Sequence, residues 1–223
     1  MNRIAIIAAL PGELNPLVQG WQRRGQTMWV GQLAGSEAVA VAGGMGAAAA
    51  AHAAEQALKE LDADVLMSYG WAGALTCAVK PQMTCIISEV VDAVSGERFA
   101  TGNADGFRMI TLDHVARADE KRALAQKHQA VIVDMEASTV ARIAAARQKA
   151  FYCFKAIADG YTDKLPDFNK FMSDAGEIRT GALIAHAAVR PQYWASLIRL
   201  GKNSSAAADA LAKMVQNGSK QKL

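Results

Sequence analysis

The sequence predicts an α/β fold around a central mixed or parallel sheet. Three observations carry this. Apolar runs of strand length alternate with helix-length segments from the N-terminus onward, and glycine-rich turns join them. Acidic and glycine residues then collect just past the ends of the apolar runs, where open α/β sheets bind ligands. The 223 residues suit one large domain or two small ones. No internal repeat, low-complexity linker or domain boundary divides them.

Residues 3–10 read as a strand buried on both faces, being almost continuously apolar. Residues 13–23 read as a helix with Leu14, Leu17 and Val18 on one side. Residues 28–33 and 38–42 are strands joined by the turn Ala34-Gly35-Ser36-Glu37. Gly43-Gly44-Met45-Gly46 opens a long helix over 47–61. A short strand, 65–68, ends in Tyr69-Gly70-Trp71-Ala72-Gly73. Residues 84–94 form a strand, 101–106 a polar loop, 108–112 a short strand and 119–127 a short helix. A strand at 130–133 leads through Asp134 to a helix over 136–147, and a strand at 150–157 delivers Asp159 to a loop. Residues 168–173 start another helix, and the chain from about 178 is helical with a break at Arg190-Pro191. The ordered domain is expected to span 1–217, with 218–223 as a frayed tail.

Composition narrows the function. Hydrophobic residues make up 52% of the chain, enough for a well-filled core. The net charge is only +3, without the dense basic stripe a nucleic-acid surface needs. Cys77, Cys85 and Cys153 lack paired spacing and read as reduced thiols. His52, His114, His128 and His186 have no metal-ligand spacing, so neither metal nor cofactor is expected. The N-terminus has no secretory signal pattern and no apolar stretch reaches membrane-spanning length, so a cytoplasmic location is expected.

Five places can carry chemistry, each with an ordinary structural alternative. The 43–46 turn can bring backbone N–H groups to a ligand or simply connect strand to helix tightly. Glu13 can be a catalytic acid or a first-turn acid favoured by the helix dipole. Glu136 can accept sugar hydroxyls, with Asp134 as a helix cap. Asp159 can be a general acid if desolvated, or an Asx-turn residue. Trp71, a large ring among glycines, shapes a pocket or an interface.

Taken in order, Ile6-Ile7-Ala8-Ala9-Leu10 with Glu13, Gly43-Gly44-Met45-Gly46-Ala47, Tyr69-Gly70-Trp71-Ala72-Gly73, Val133-Asp134-Met135-Glu136-Ala137 and Lys155-Ala156-Ile157-Ala158-Asp159 resemble the nucleoside phosphorylase/nucleosidase superfamily. Within it they are similar to the methylthioadenosine/S-adenosylhomocysteine nucleosidase-like branch. The resemblance covers roughly residues 3–172 and implies a single-domain three-layer α/β sandwich with a central mixed sheet. It implies that Glu13 activates water, Glu136 holds the ribose hydroxyls and Asp159 protonates N7 of the departing purine. Met135, Met45, Gly46, Trp71, Ala72, Gly73, Val115, Ala116 and Phe168 would line the substrate site. The partner would be a small-molecule nucleoside, and the chain a homodimer.

The phosphorylases of the superfamily bind phosphate with arginine-bearing loops, one of them after the first strand. Here that loop reads Leu10-Pro11-Gly12-Glu13, which favours water as the nucleophile. A second resemblance lies in Ala187-Ala188-Val189-Arg190-Pro191-Gln192-Tyr193-Trp194 and Arg199-Leu200-Gly201-Lys202-Asn203-Ser204, which is similar to the hopanoid-associated members. It implies release of adenine from adenosylhopane at the inner membrane surface, with a peripheral membrane contact. The alternatives are a methylthioadenosine/S-adenosylhomocysteine nucleosidase, a phosphate-dependent phosphorylase, and a nucleoside-binding sensor without catalysis.

Overall fold

The computed structural model describes residues 2–163, 168–171 and 194–222. The elements run β1 (Ile4–Ala8), α1 (Pro11–Leu14), β2 (Gln22–Arg24), β3 (Met28–Leu33), β4 (Ser36–Ala42), α2 (Ala47–Glu60), β5 (Val65–Ala74), β6 (Thr84–Asp92), β7 (Arg98–Ala100) and β8 (Phe107–Thr111). They continue with α3 (Lys121–His128), β9 (Ile132–Asp134), α4 (Ala137–Ala146), β10 (Ala150–Asp159), a 3₁₀ turn (Phe168–Phe171) and α5 (Trp194–Lys222).

The sheet is mixed, and β5 is its fork. Along Val65–Ser68, β5 pairs in parallel with β1 on one side and with β10 on the other. At Gly73 and Ala74 it exchanges β1 for β9, antiparallel. From there β9 pairs with β8, β8 with β6 and β6 with β10, which returns to β5. Five strands thus close into a ring. On the other side β1, β4, β3 and β2 continue as an open wing.

Alternation along β1 sorts the core into layers. Ala5 and Ile7 face α2 and α4, whose Ala50, Ala53, Ala57, Ala137 and Ala141 allow close approach. Ile4, Ile6 and Ala8 face the opposite layer, where Leu14, Leu17 and α5's Ala207, Leu211 and Val215 pack. Helices on both faces make this the three-layer α/β sandwich that the sequence predicts.

Several local expectations need correction. The helix expected at 13–23 is the single turn α1, followed by turns and the short strand β2. Pro16 brings no N–H to a helical ladder and Gly20 has φ +80°, so helix does not propagate. Leu14, Leu17 and Val18 nevertheless remain buried. The β3–β4 hairpin turns on Ala34 and Gly35 alone, both left-handed, leaving Ser36 and Glu37 in β4. The stretch Tyr69–Gly73, expected to follow the strand, is itself part of the ten-residue β5. Asp159 likewise ends β10 rather than lying in a loop, and sits beside Gly73 in the register. Phe168 opens a 3₁₀ turn. The helical segment expected from 178 falls outside the described residues as far as 193; from Trp194 the backbone is helical through Lys222.

Candidate active site

The C-terminal ends of β1, β5, β9 and β10 surround one cleft of about 650 Å3, solvent mouth included. Its walls hold Glu13, Glu136 and Asp159 together with Met45, Met135, Trp71, Ala72, Gly73, Val115 and Ala116. Residues far apart in sequence meet here because the parallel strands β1, β5 and β10 end on the same side of the sheet and β9 crosses the end of β5 antiparallel to it. Gly46 contributes its backbone rather than a wall, and Phe168 lies elsewhere, in an adjoining groove.

Glu13 is held by the backbone. Its Oε2 accepts N–H bonds from Ala9 and Leu10, both at 2.8 Å, and its Oε1 accepts from Trp71 N–H at 2.7 Å. The Leu10 bond is half of a capping box, so Glu13 starts α1 and lines the cleft at once. Gly70 explains the glycine in β5. At φ +141° it lies against the carboxylate, and a Cβ there would come within 2.6 Å of Glu13 Cδ. Burial pushes the Glu13 carboxyl up from its ordinary range, while the three N–H donors and nearby Lys155 pull against that.

Glu136 faces the same space. Its Oε1 accepts Gly46 N–H at 2.7 Å, a bond that the left-handed Gly46 (φ +87°) aims at it. Among the described residues its other oxygen has a single long contact, 3.3 Å from Met135 N–H. Burial and then the neighbouring Asp134 push its carboxyl up to about 7. Asp134 is structural. It accepts Thr111 Oγ1 at 2.7 Å, caps α4 through Ala137 N–H at 3.0 Å, and pairs with Lys155 Nζ at 2.8 Å. Lys155 and Asp134 are fully buried, and the lysine is held firmly protonated despite its burial, chiefly by Asp134.

Asp159 is held differently, by a side chain. Lys121 Nζ, at the start of α3, donates to Asp159 Oδ2 and, at 3.0 Å, to the Gly160 carbonyl. The lysine is 2% exposed. Burial pushes the Asp159 carboxyl up, with Lys121 opposing the shift. Beside the pair, His114 bridges Asp113 (2.7 Å) and Glu120 (3.2 Å) and lines the cleft.

Trp71 separates this cleft from a second groove, which it also lines with Gly12, Pro16, Phe168, Leu197 and Leu200. The indole packs on Gly12, where a Cβ would lie 3.2 Å from the ring. Among the described residues Trp71 Nε1 finds no hydrogen-bond partner.

Sequence reasoning missed Lys121, Lys155 and His114. Lys155 carried a signal, a cation inside the apolar run of β10. Lys121, in the charged run Asp119-Glu120-Lys121-Arg122, carried none. Of the three free cysteines, Cys85 and Cys153 are buried and Cys77 is exposed. Among the described residues there is no cluster of groups that could hold a metal ion.

The family profile of the phosphorylase superfamily matches residues 3–118, the segment carrying Glu13, the 43–46 turn and β5. The chain belongs to the phosphorylase superfamily. Solved structures bear out the fold of this superfamily member over its whole length. The methylthioadenosine/S-adenosylhomocysteine nucleosidase of Neisseria meningitidis, in complex with methylthio-immucillin-A, superposes with a TM-score of 0.72 at 20% identity, covering 99% of both chains. The corresponding Campylobacter jejuni nucleosidase gives 0.73 at 14% identity, covering 99% of this chain and 100% of its own. The futalosine hydrolase of Helicobacter pylori gives 0.71 at 13% identity, covering 98% of each. A search of the curated proteins returns no match.

Proposed function

We propose that this protein is an N-ribosyl hydrolase that releases adenine from a 5′-substituted adenosine. The observation that carries the reading is the convergence of Glu13, Glu136 and Asp159 on one cleft. Cleavage of a nucleoside builds positive charge on the ribose and negative charge on the base. Glu136, with one oxygen held only by the long Met135 N–H contact among the described residues, accepts a hydroxyl there, orients the sugar and favours its cationic transition state. Glu13 receives the proton of the attacking water, and Asp159 faces the leaving base. The superposed nucleosidases support the same chemistry.

Water rather than phosphate is the nucleophile in this reading. An anion arriving beside the first strand would meet Glu13, and the two buried lysines are already paired, Lys155 with Asp134 and Lys121 with Asp159. The groove beyond Trp71 supports an apolar 5′ group. Adenosylhopane is the substrate we favour, because the α5 residues Leu197 and Leu200 that line the groove belong to the segment similar to hopanoid-associated members. Residues 187–193 of that similarity lie outside the described ones. No helix among the described residues is long and apolar enough to cross a membrane. Exposed Ile198 on α5, 60% accessible, supports a peripheral or dimeric contact there. Methylthioadenosine is the second reading, favoured by the superposed methylthioadenosine/S-adenosylhomocysteine nucleosidases.

The test is adenine release from adenosine, methylthioadenosine and an adenosine bearing a long apolar 5′ chain, with and without phosphate. The expected result is phosphate-independent release, fastest from the apolar substrate. Release that requires phosphate would make the protein a phosphorylase. No release from any of the three would make it a binding protein.

A further inference from the structure

The ion pair on the base side raises a question of proton supply. A carboxylate salt-bridged to an ammonium has no proton to give. Asp159 accepts from Lys121 Nζ, so at rest the one transferable proton of the pair is on the lysine. Lys121 is almost wholly shut off from solvent, yet it lines the cleft, and a second bond to the Gly160 carbonyl fixes its ammonium on Oδ2. At the Glu13 end the arrangement differs; among the described residues the carboxylate meets backbone donors alone.

We propose that Lys121 is the proton source behind Asp159, an inference that rests on the nucleosidase reading. As the C1′–N9 bond breaks, its electron pair moves onto the base. A proton passes from Lys121 Nζ to Asp159 Oδ2, and from the now neutral carboxyl to N7, leaving neutral lysine, ionised Asp159 and neutral adenine. Water adds to C1′ and gives its proton to Glu13. One proton has left Lys121 and one has reached Glu13, and exchange with solvent after product release restores both.

The pair also suits the base. The Hoogsteen edge of adenine offers an acceptor at N7 and a donor at N6, whereas a 6-oxopurine offers two acceptors. A site holding one transferable proton and one carboxylate matches the first edge. The groups facing the pair are Asp163, whose carboxylate accepts Gly160 N–H and pairs with Arg199 of α5, and the His114–Asp113–Glu120 cluster on the preceding loop. Both clusters are internally paired, leaving Lys121 to serve Asp159.

The experiment compares wild type with Lys121→Met and Lys121→Arg on two ribosides, checking folding by melting temperature. One is the 5′-substituted adenosine; the other is p-nitrophenyl riboside, whose leaving group departs without a proton. Lys121→Met should lose about 100-fold or more in kcat for adenine release with little change in KM, and should keep p-nitrophenol release within about threefold. Lys121→Arg keeps the charge but does not give up its proton, so it should fail on adenosine in the same way. Recovery of adenine release by the arginine variant would reduce Lys121 to a fixed charge and overturn the proposal. Equal losses on both ribosides would overturn it too, by making the lysine structural. Wild-type protein inactive on both would sink the nucleosidase reading and this inference with it.

Discussion

The two ends of the cleft hold their acids by opposite means. Glu13 is fixed by three backbone N–H groups and a glycine pressed against its carboxylate. Asp159 is fixed by one long side chain from a different element, α3. A backbone cradle holds a carboxylate's position but has no proton to transfer. A lysine holds it less rigidly and brings both charge and a proton. In the proposed reaction the difference would match two tasks: aiming water at a carbon, and meeting charge as it appears on a departing base.

Removing the side-chain-held acid should have the largest effect. Asp159→Asn should lower kcat by roughly 10²–10⁴-fold. It also strands the buried Lys121 ammonium, which should destabilise the fold by up to about 3–5 kcal/mol, read by urea denaturation. An Asn variant with near-normal turnover would remove Asp159 from the reaction.

At the backbone-held end, Glu13→Gln should lower hydrolysis by roughly 10²-fold while costing less stability. The amide oxygen can take the Ala9 and Leu10 N–H bonds, but its NH2 then faces Trp71 N–H, donor against donor, at a cost of about 1–3 kcal/mol. Gly70→Ala attacks the same cradle without touching the acid. The new Cβ drives into Glu13 Cδ, so activity should fall with a stability loss of about 1–3 kcal/mol. Wild-type kinetics in Gly70→Ala would show that the cradle does not set the acid's position.

The smallest effect concerns Glu136, which lies between the two ends, and it depends on pH. Its folded pKa of about 7 exceeds the ordinary 4.5, so burying the ionised form destabilises the protein above pH 7, and the penalty fades as pH falls toward 4.5. Glu136→Gln should therefore raise the melting temperature by about 2–6 °C at pH 8 and by much less at pH 5, while losing activity at both. A shift independent of pH would mean that the carboxyl is not perturbed.

The same contrast explains what the sequence discloses. Residues held by their own local backbone come with local signatures: Pro-Gly ahead of Glu13, glycines at 43–46 and 70, and an Asp two residues before Glu136. These mark Glu13 and Glu136, while Asp159 was marked only by its place at the end of the apolar run of β10; the strand-then-helix alternation placed the sheet. Lys121 had no such mark, because its role depends on α3 packing across to the end of β10. Its sequence neighbours are those of any exposed helix start. The glycines of β5 misled in the other direction. They looked like turn punctuation but serve close approach within a strand, so β5 ran on to Ala74. Helix 13–23 failed because its apolar spacing reflects burial by turns as well as by helix; Leu17 and Val18 are buried without one.

The fork in β5 has a consequence for how substrate range can change. Asp159 ends the ring strand β10 and Glu136 follows the ring strand β9 by two residues, so both are anchored to hydrogen-bonded strands of the ring. The outer walls of the cleft and of the adjoining groove are drawn from elsewhere: the loop that carries Val115 and Ala116, and the α5 side chains past Trp71, which in the proposed reading would meet the two extremities of a substrate. Those parts can be exchanged like interchangeable jaws on one vice. The body of the tool keeps its alignment while the grip changes.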